Sequence, residues 1–136
     1  MQPSIDLSSL EKAHASLVGA MAVVTTDDTI TVLKRDAAIQ RFEYTFELSY
    51  KMLKRYLEMT SPSPTTIDQA DFRELLRMGG EAGLVENVAE WFVFRDKRNI
   101  TSHAYDEKKA KEVYDVIPAF IVASKSLLTA LQGKVV

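Results

Sequence analysis

The sequence predicts an all-α fold, an up-and-down bundle of four to five helices. Apolar residues recur at three- and four-residue steps over long stretches. No β pattern of convincing length interrupts them. Five glycines and four prolines in 136 residues leave those stretches unbroken.

The first helix is expected from about Leu7 to Val24. Leu10, Ala13, Leu17, Met21 and Val24 form its stripe, and Asp6 or Ser8 can cap its start. The run Thr25 to Val32 breaks the pattern with β-branched and turn residues and reads as a connection. The second helix, about Asp36 to Met59, carries Ile39, Phe42, Phe46, Tyr50, Leu53 and Leu57 on one face, with Gln40, Lys51, Lys54 and Arg55 mostly off it. At 1.5 Å per residue it spans about 35 Å. Pro62 and Pro64 end it, because each removes a donor and restricts its predecessor. A shorter helix follows over about Asp68 to Met78, with Phe72, Leu75 and Leu76 inward, and Gly79, Gly80 and Gly83 loosen the next junction. A fourth helix, about Glu86 to Thr101, is expected to bury Val88, Ala89 and Phe92 with Trp91 on its flank. The last helix, about Asp106 to Leu131, carries Val113, Ile117, Phe120, Ser124, Leu127, Leu128 and Leu131, and Pro118 should kink it.

The length suits one domain over residues 1–136. An apolar content of 46% with 26% charged residues is ordinary for a globular chain. No uninterrupted apolar run approaches the roughly 20 residues of a membrane span. The segment Met1 to Asp6 lacks the basic start and apolar block of a secretory signal, and no membrane association is expected. With no cysteines, disulfides and thiolate metal sites are excluded, and a cytoplasmic location is the expectation. The net charge of −2 argues against a broad electrostatic grip on nucleic acid, so any RNA contact must be local.

The segment Arg95 to Glu107 concentrates the chemistry. Arg98 is followed five residues later by His103 and two beyond that by Tyr105, with Asn99, Thr101 and Ser102 between them. These supply a fixed cation, a proton donor or acceptor near neutral pH, and a phenol. Taken singly, Arg98 is also a solvated helix cation, His103 a cap favoured by the helix dipole, and Tyr105 a staple of the turn. Residues five apart on a regular helix diverge by about 140°, so a shared groove requires the helix to end or distort near Thr101 and Ser102. His14, the other histidine, sits in an ordinary amphipathic stretch.

The run Arg98-x-x-x-x-His103-x-Tyr105, followed by Asp106 and Glu107, resembles the signature of HEPN domains, short helical proteins paired with minimal nucleotidyltransferases. The stretch Ile39 to Leu48, containing Arg41-Phe42-Glu43-Tyr44-Thr45-Phe46-Glu47, resembles the second diagnostic segment of the nucleotidyltransferase substrate-binding branch. The resemblance covers nearly the whole chain in length and helix order. Tyr50 departs from it, standing where close relatives carry tryptophan, which touches packing more than chemistry. The resemblance implies a homodimer whose paired motifs cleave RNA without metal, a toxin held in check by a cognate nucleotidyltransferase that attaches AMP to a tyrosine. The apolar stripes of helices one, two and five, more than one thin bundle buries, likewise lead to the expectation of a homodimer or higher even oligomer. The resemblance implies Arg98 and His103 as catalytic, Asn99 as supporting, Tyr105 as the modification acceptor, and Arg41 and Glu43 as structural or pocket-lining. No cofactor and no metal are implied.

Metal-free cleavage needs a group titrating near neutrality and fixed positive charge at the phosphorane oxygens. Histidine, with a reference pKa of about 6.5, and bidentate arginine provide these. One motif holds one histidine; a dimer supplies both an acid and a base. The chain has no Gly-Ser turn or Asp-x-Asp pair for nucleotidyl transfer, no phosphate loop in Gly79 to Gly83, and no zinc ligand set. Three readings follow: an RNase toxin, a non-catalytic module presenting a substrate or its own Tyr105 to a nucleotidyltransferase, and a scaffolding dimer.

Overall fold

The computed structural model describes residues 5–134; Met1–Ser4, most of the segment that lacks a secretory-signal pattern, lie outside the described residues. Six α-helices and one 3₁₀ turn succeed one another: α1 (Ser8–Met21), α2 (Asp28–Thr60), α3 (Pro64–Gln69), α4 (Phe72–Glu81), α5 (Val88–Arg98), the turn Thr101–His103, and α6 (Glu107–Lys134). Among the described residues there is no strand, and the expected all-α bundle is what forms. α2 is its axis, packing against each of the other five helices.

The helix ends differ from expectation for local reasons. α2 begins at Asp28, so Thr29–Val32 is helix rather than connection. Asp27 caps it: its Oδ1 accepts the Ile30 N–H at 3.0 Å and its carbonyl accepts the Thr31 N–H at 2.9 Å. A good cap contributes about 1 kcal/mol, more than a β-branched residue or two costs. The early start puts Arg35 on α2. α1 stops at Met21, and Val24, expected on its stripe, is 95% exposed; His14 and Ala20 are buried instead. His14 Nε2 lies 3.2 Å from the Ile121 carbonyl and joins α1 to α6.

The single helix expected over Asp68 to Met78 is two. Pro64 occupies the first turn of α3, where its missing N–H is no loss, and Asp71 caps α4 by accepting the Glu74 N–H at 2.8 Å. α4 ends in a Schellman motif: Leu84 N–H reaches the Gly79 carbonyl (2.9 Å), Gly83 N–H reaches that of Gly80 (3.1 Å), and Gly83 takes φ +77°. Gly79 has a second reason, since a Cβ there would stand 3.0 Å from Val85 and 3.1 Å from Leu53.

On α5 the expected burial is reversed. Trp91 and Phe94 are buried, Val88 and Phe92 are half-buried, and Ala89 is exposed. The cause is an aromatic core on α6 and α2. Phe120 packs edge-to-face with Phe42, Phe94 and Trp91 at centroid distances of 4.8, 5.3 and 5.7 Å. The α6 stripe from Val113 to Leu131 is buried as expected, and Pro118 lies inside the helix without ending it. By length and composition alone α6 would pass for a membrane span, with mean hydropathy 1.4 in its best window, although Asp115 and Lys125 interrupt its apolar residues. The stripe around Phe120 faces protein, as in the core helix of a bundle.

At the start of α6, Arg35 grips Glu107 in two hydrogen bonds (2.6 and 3.2 Å). Those bonds, with the nearby guanidinium charge, hold the Glu107 carboxyl below its ordinary value of 4.5. A depressed carboxylate stabilises the fold above its unfolded pKa and loses that contribution as pH falls through the folded one. A double-mutant cycle of Arg35→Gln and Glu107→Gln should give a favourable coupling at neutral pH that declines below pH 4.5. Phe120→Ala should cost about 3–5 kcal/mol in denaturant unfolding, because its cavity sits where three helices meet.

Candidate functional site

Phe94 points into the aromatic core, and Arg98, one turn later, is the last residue of α5. Its guanidinium lands on α2, where Nε donates to Glu47 Oε1 and Nη2 lies 3.7 Å from Glu43 Oε1. Glu43 and Glu47 are one turn apart, so both carboxylates meet the same edge of the arginine. That leaves Nη1 and the outer N–H of Nη2 as an end-on fork, and 32% of the side chain is exposed.

α5 ends where the shared-groove geometry required a break. The Arg98 carbonyl accepts the Thr101 hydroxyl at 2.8 Å, and the chain tightens into the turn Thr101–His103. His103 N–H then bonds the Ile100 carbonyl at 3.0 Å, and Asp106 caps α6 by accepting the N–H groups of Lys108 (2.9 Å) and Lys109 (3.3 Å). His103 therefore leaves the α5 spiral, and its divergence from Arg98 is no longer that of a regular helix. Both His103 and Tyr105 project into solvent, Tyr105 at 83% exposure, with His103 Nδ1 3.5 Å from the phenol oxygen. The buried-staple alternative for Tyr105 does not occur. Arg98 and His103 share no hydrogen bond within this one chain, and Arg98 is instead joined to α2.

Asn99 caps α5 and opens, with Arg98, onto a cavity of about 400 Å³ whose other walls include Tyr50, Asp71, Phe72 and Arg95. The guanidinium of Arg95 lies 4.7 Å over the Phe72 ring. Arg41 stands apart: its Nη1 donates to the Ser16 carbonyl at 2.8 Å, tying α2 to α1 beside a different cavity. Two positions along a helix turn about 200°, which separates Arg41 from Glu43. Among the described residues no cluster of three or more His, Asp or Glu is arranged to hold a metal ion.

Glu47 was missed as a site residue. Its signal was in the sequence: like charges at i and i+4 on one helix face repel, so Glu43 and Glu47 together call for a cation from another element.

Comparisons place the chain among known proteins. It matches the family described as nucleotidyltransferase substrate binding protein like over residues 5–133. It is 42% identical over 97 residues to a Haemophilus influenzae protein named Probable ribonuclease HepT, a match covering 71% of this chain and 66% of that relative, just under two thirds of its length. A solved Haemophilus influenzae structure, described as revealing the fold of a substrate binding domain of a nucleotidyltransferase, superposes with TM-score 0.87 at 34% identity, covering 93% of this chain and 99% of that one. A crystal structure from Thermus thermophilus superposes with TM-score 0.74 at 30% identity, covering 90% and 98%. With nearly all of its length matched, the chain belongs to the nucleotidyltransferase substrate binding protein-like family.

Proposed function

We propose that this protein is a metal-independent ribonuclease toxin that works as a homodimer and is silenced when a partner nucleotidyltransferase attaches AMP to Tyr105. The observation supporting this reading is the break after α5. It leaves an oriented arginine fork on one side, and an exposed imidazole beside an exposed phenol on the other. The name of the Haemophilus influenzae relative supports the reaction class, and the family description supports the partner.

In the proposed reaction His103 of one copy takes the proton of an RNA 2′-hydroxyl. That oxygen bonds to the adjacent phosphorus, the bond from phosphorus to the 5′-oxygen breaks, and the second copy's His103 protonates the leaving oxygen. The products are a 2′,3′-cyclic phosphate and a 5′-hydroxyl. The Arg98 fork stabilises the charge gathering on the non-bridging oxygens. Exposed apolar side chains at the α1–α2 end, among them Val24, Ile30 and Leu33, offer surface of the kind two copies bury. Silencing joins the Tyr105 oxygen to the α-phosphate of ATP with loss of pyrophosphate, which sets a negative phosphodiester beside His103.

A second reading, a non-catalytic substrate-binding subunit, is favoured by the family description and by the description of the Haemophilus influenzae structure, both of which speak of substrate binding. RNA cleavage by the isolated protein in EDTA separates the two. On the ribonuclease reading wild type cleaves, while His103→Ala and Arg98→Ala each fall about a hundred- to ten-thousand-fold. Full activity in His103→Ala, or none in wild type, sinks it. For the modification, incubation with ATP, magnesium and the nucleotidyltransferase should add AMP mass to the peptide carrying Tyr105, and Tyr105→Phe should abolish the gain. AMP on another residue would overturn the acceptor assignment.

A further inference from the structure

The cavity beside Arg98 has a neighbour. A second cavity, about 700 Å³, runs along the outer face of α2 between Glu47 and Met59, and the two share Glu47 and Tyr50 as walls. The second is lined by Lys51, Lys54 and Arg55. Lys51 and Arg55 are exposed, one turn apart, and hold no ion pair among the described residues, whereas Lys54 is 3.4 Å from Asp68. Tyr50 is a wall of both cavities, half-buried, with its ring stacked on Phe72 at 5.4 Å and 26°.

We propose that this face of α2, from Tyr50 to Arg55, is a binding track for single-stranded RNA leading into the Arg98 site. The proposal rests on the ribonuclease reading above. A base stacks on the Tyr50 ring, which Phe72 buttresses from behind and Arg95 steadies by lying over Phe72. Flanking phosphates meet Lys51 and Arg55. Aromatic platforms beside spaced cations are the usual means of holding single strands, because every base has a π-face and every nucleotide a charge. From Glu47 to Arg55 is two helical turns, about 12 Å, so the track reaches only a few nucleotides. Such a short contact is what a chain of net charge −2 permits. Glu58 closes the far end with a carboxylate, whereas the Glu47 carboxylate at the near end is taken up by Arg98. An acidic protein surface would use the cations but leave the tyrosine face without a role.

The test measures binding separately from cleavage, by fluorescence anisotropy with a labelled single-stranded 2′-O-methyl RNA, which lacks the attacking hydroxyl. Lys51→Gln/Arg55→Gln should weaken binding by on the order of tenfold and lower the salt slope by about 1.4, at about 0.7 per lost phosphate contact. Tyr50→Ala should weaken it at least about fivefold, while Tyr50→Phe binds as wild type. The charge-matched control Lys12→Gln/Lys125→Gln, on exposed positions of α1 and α6, should bind as wild type. Failure of the wild type to bind, or unchanged affinity and slope in the Lys51/Arg55 variant, overturns the track. So does a loss confined to nucleotidyltransferase binding, which would make the face a protein interface. Cleavage that depends on His103 but ignores the track variants would leave the ribonuclease reading intact and remove only the track.

Discussion

Phe120 is fully buried and packs edge-to-face with Phe42 from α2 and with Trp91 and Phe94 from α5. Each such ring pair is worth about 0.5–1.5 kcal/mol beyond the area it buries. Its larger effect is on register. With Phe94 pinned, Arg98 emerges one turn later on the same side of α5. With Phe42 and Phe46 pinned, Glu43 and Glu47 each follow by one residue and turn outward beside the ring cluster. A slip of one residue in α5 would swing Arg98 by about 100° and lose both carboxylates. The candidate site therefore takes its position from the core beneath it.

The pairing of Arg98 with Glu43 and Glu47 does not oppose a role in phosphate binding. Exposed ion pairs are worth about 0–1 kcal/mol, and this guanidinium remains one-third exposed. Two carboxylates on one edge therefore restrict its rotation without closing its other edge. A phosphate can use the end-on fork while the pair persists, so α2 aims an arginine that α5 carries. In this chain the segment around Arg98 and the segment Ile39 to Leu48, far apart in sequence, meet here: one holds the cation and the other its orienting carboxylates.

The sequence made the architecture legible and left several faces undecided, for physical reasons. Periodicity located the stripe of α6 from Val113 to Leu131 and that of α2 from Ile39 to Leu57, except that Tyr50, expected on the latter, is only half-buried at its edge. α5 is short and bears apolar residues almost all round, from Val88 through Phe94, so periodicity alone could not choose between overlapping stripes. The choice fell to Trp91 and Phe94 because Phe120 and Phe46 were waiting on other helices. Thr29–Val32 has weak helix propensity by composition, and only the cap geometry of Asp27 overrides it. At the site, Arg98, Asn99, His103 and Tyr105 were legible as chemistry in a dense polar segment. The break that frees His103 was legible too, but the direction of Arg98 was not, because it depends on Glu47, a residue 51 positions away in sequence.

The proposed proton-transfer group and the proposed modification acceptor lie two residues apart, and the packing makes that arrangement workable. Thr101 at the head of the turn and Ala110 on the first turns of α6 are buried, while His103 and Tyr105 between them face solvent. A bulky group joined to an exposed phenol displaces no core side chain, so attachment of AMP need not destabilise the bundle. A tyrosine stapled into the core would have required local unfolding before a nucleotidyltransferase could reach it. The 3.5 Å separation from His103 supplies the other half of the control, since whatever occupies the phenol oxygen occupies the space beside the imidazole. In a dimer with shared histidines, modifying one copy would then remove a proton-transfer group from the composite site while leaving both folds intact.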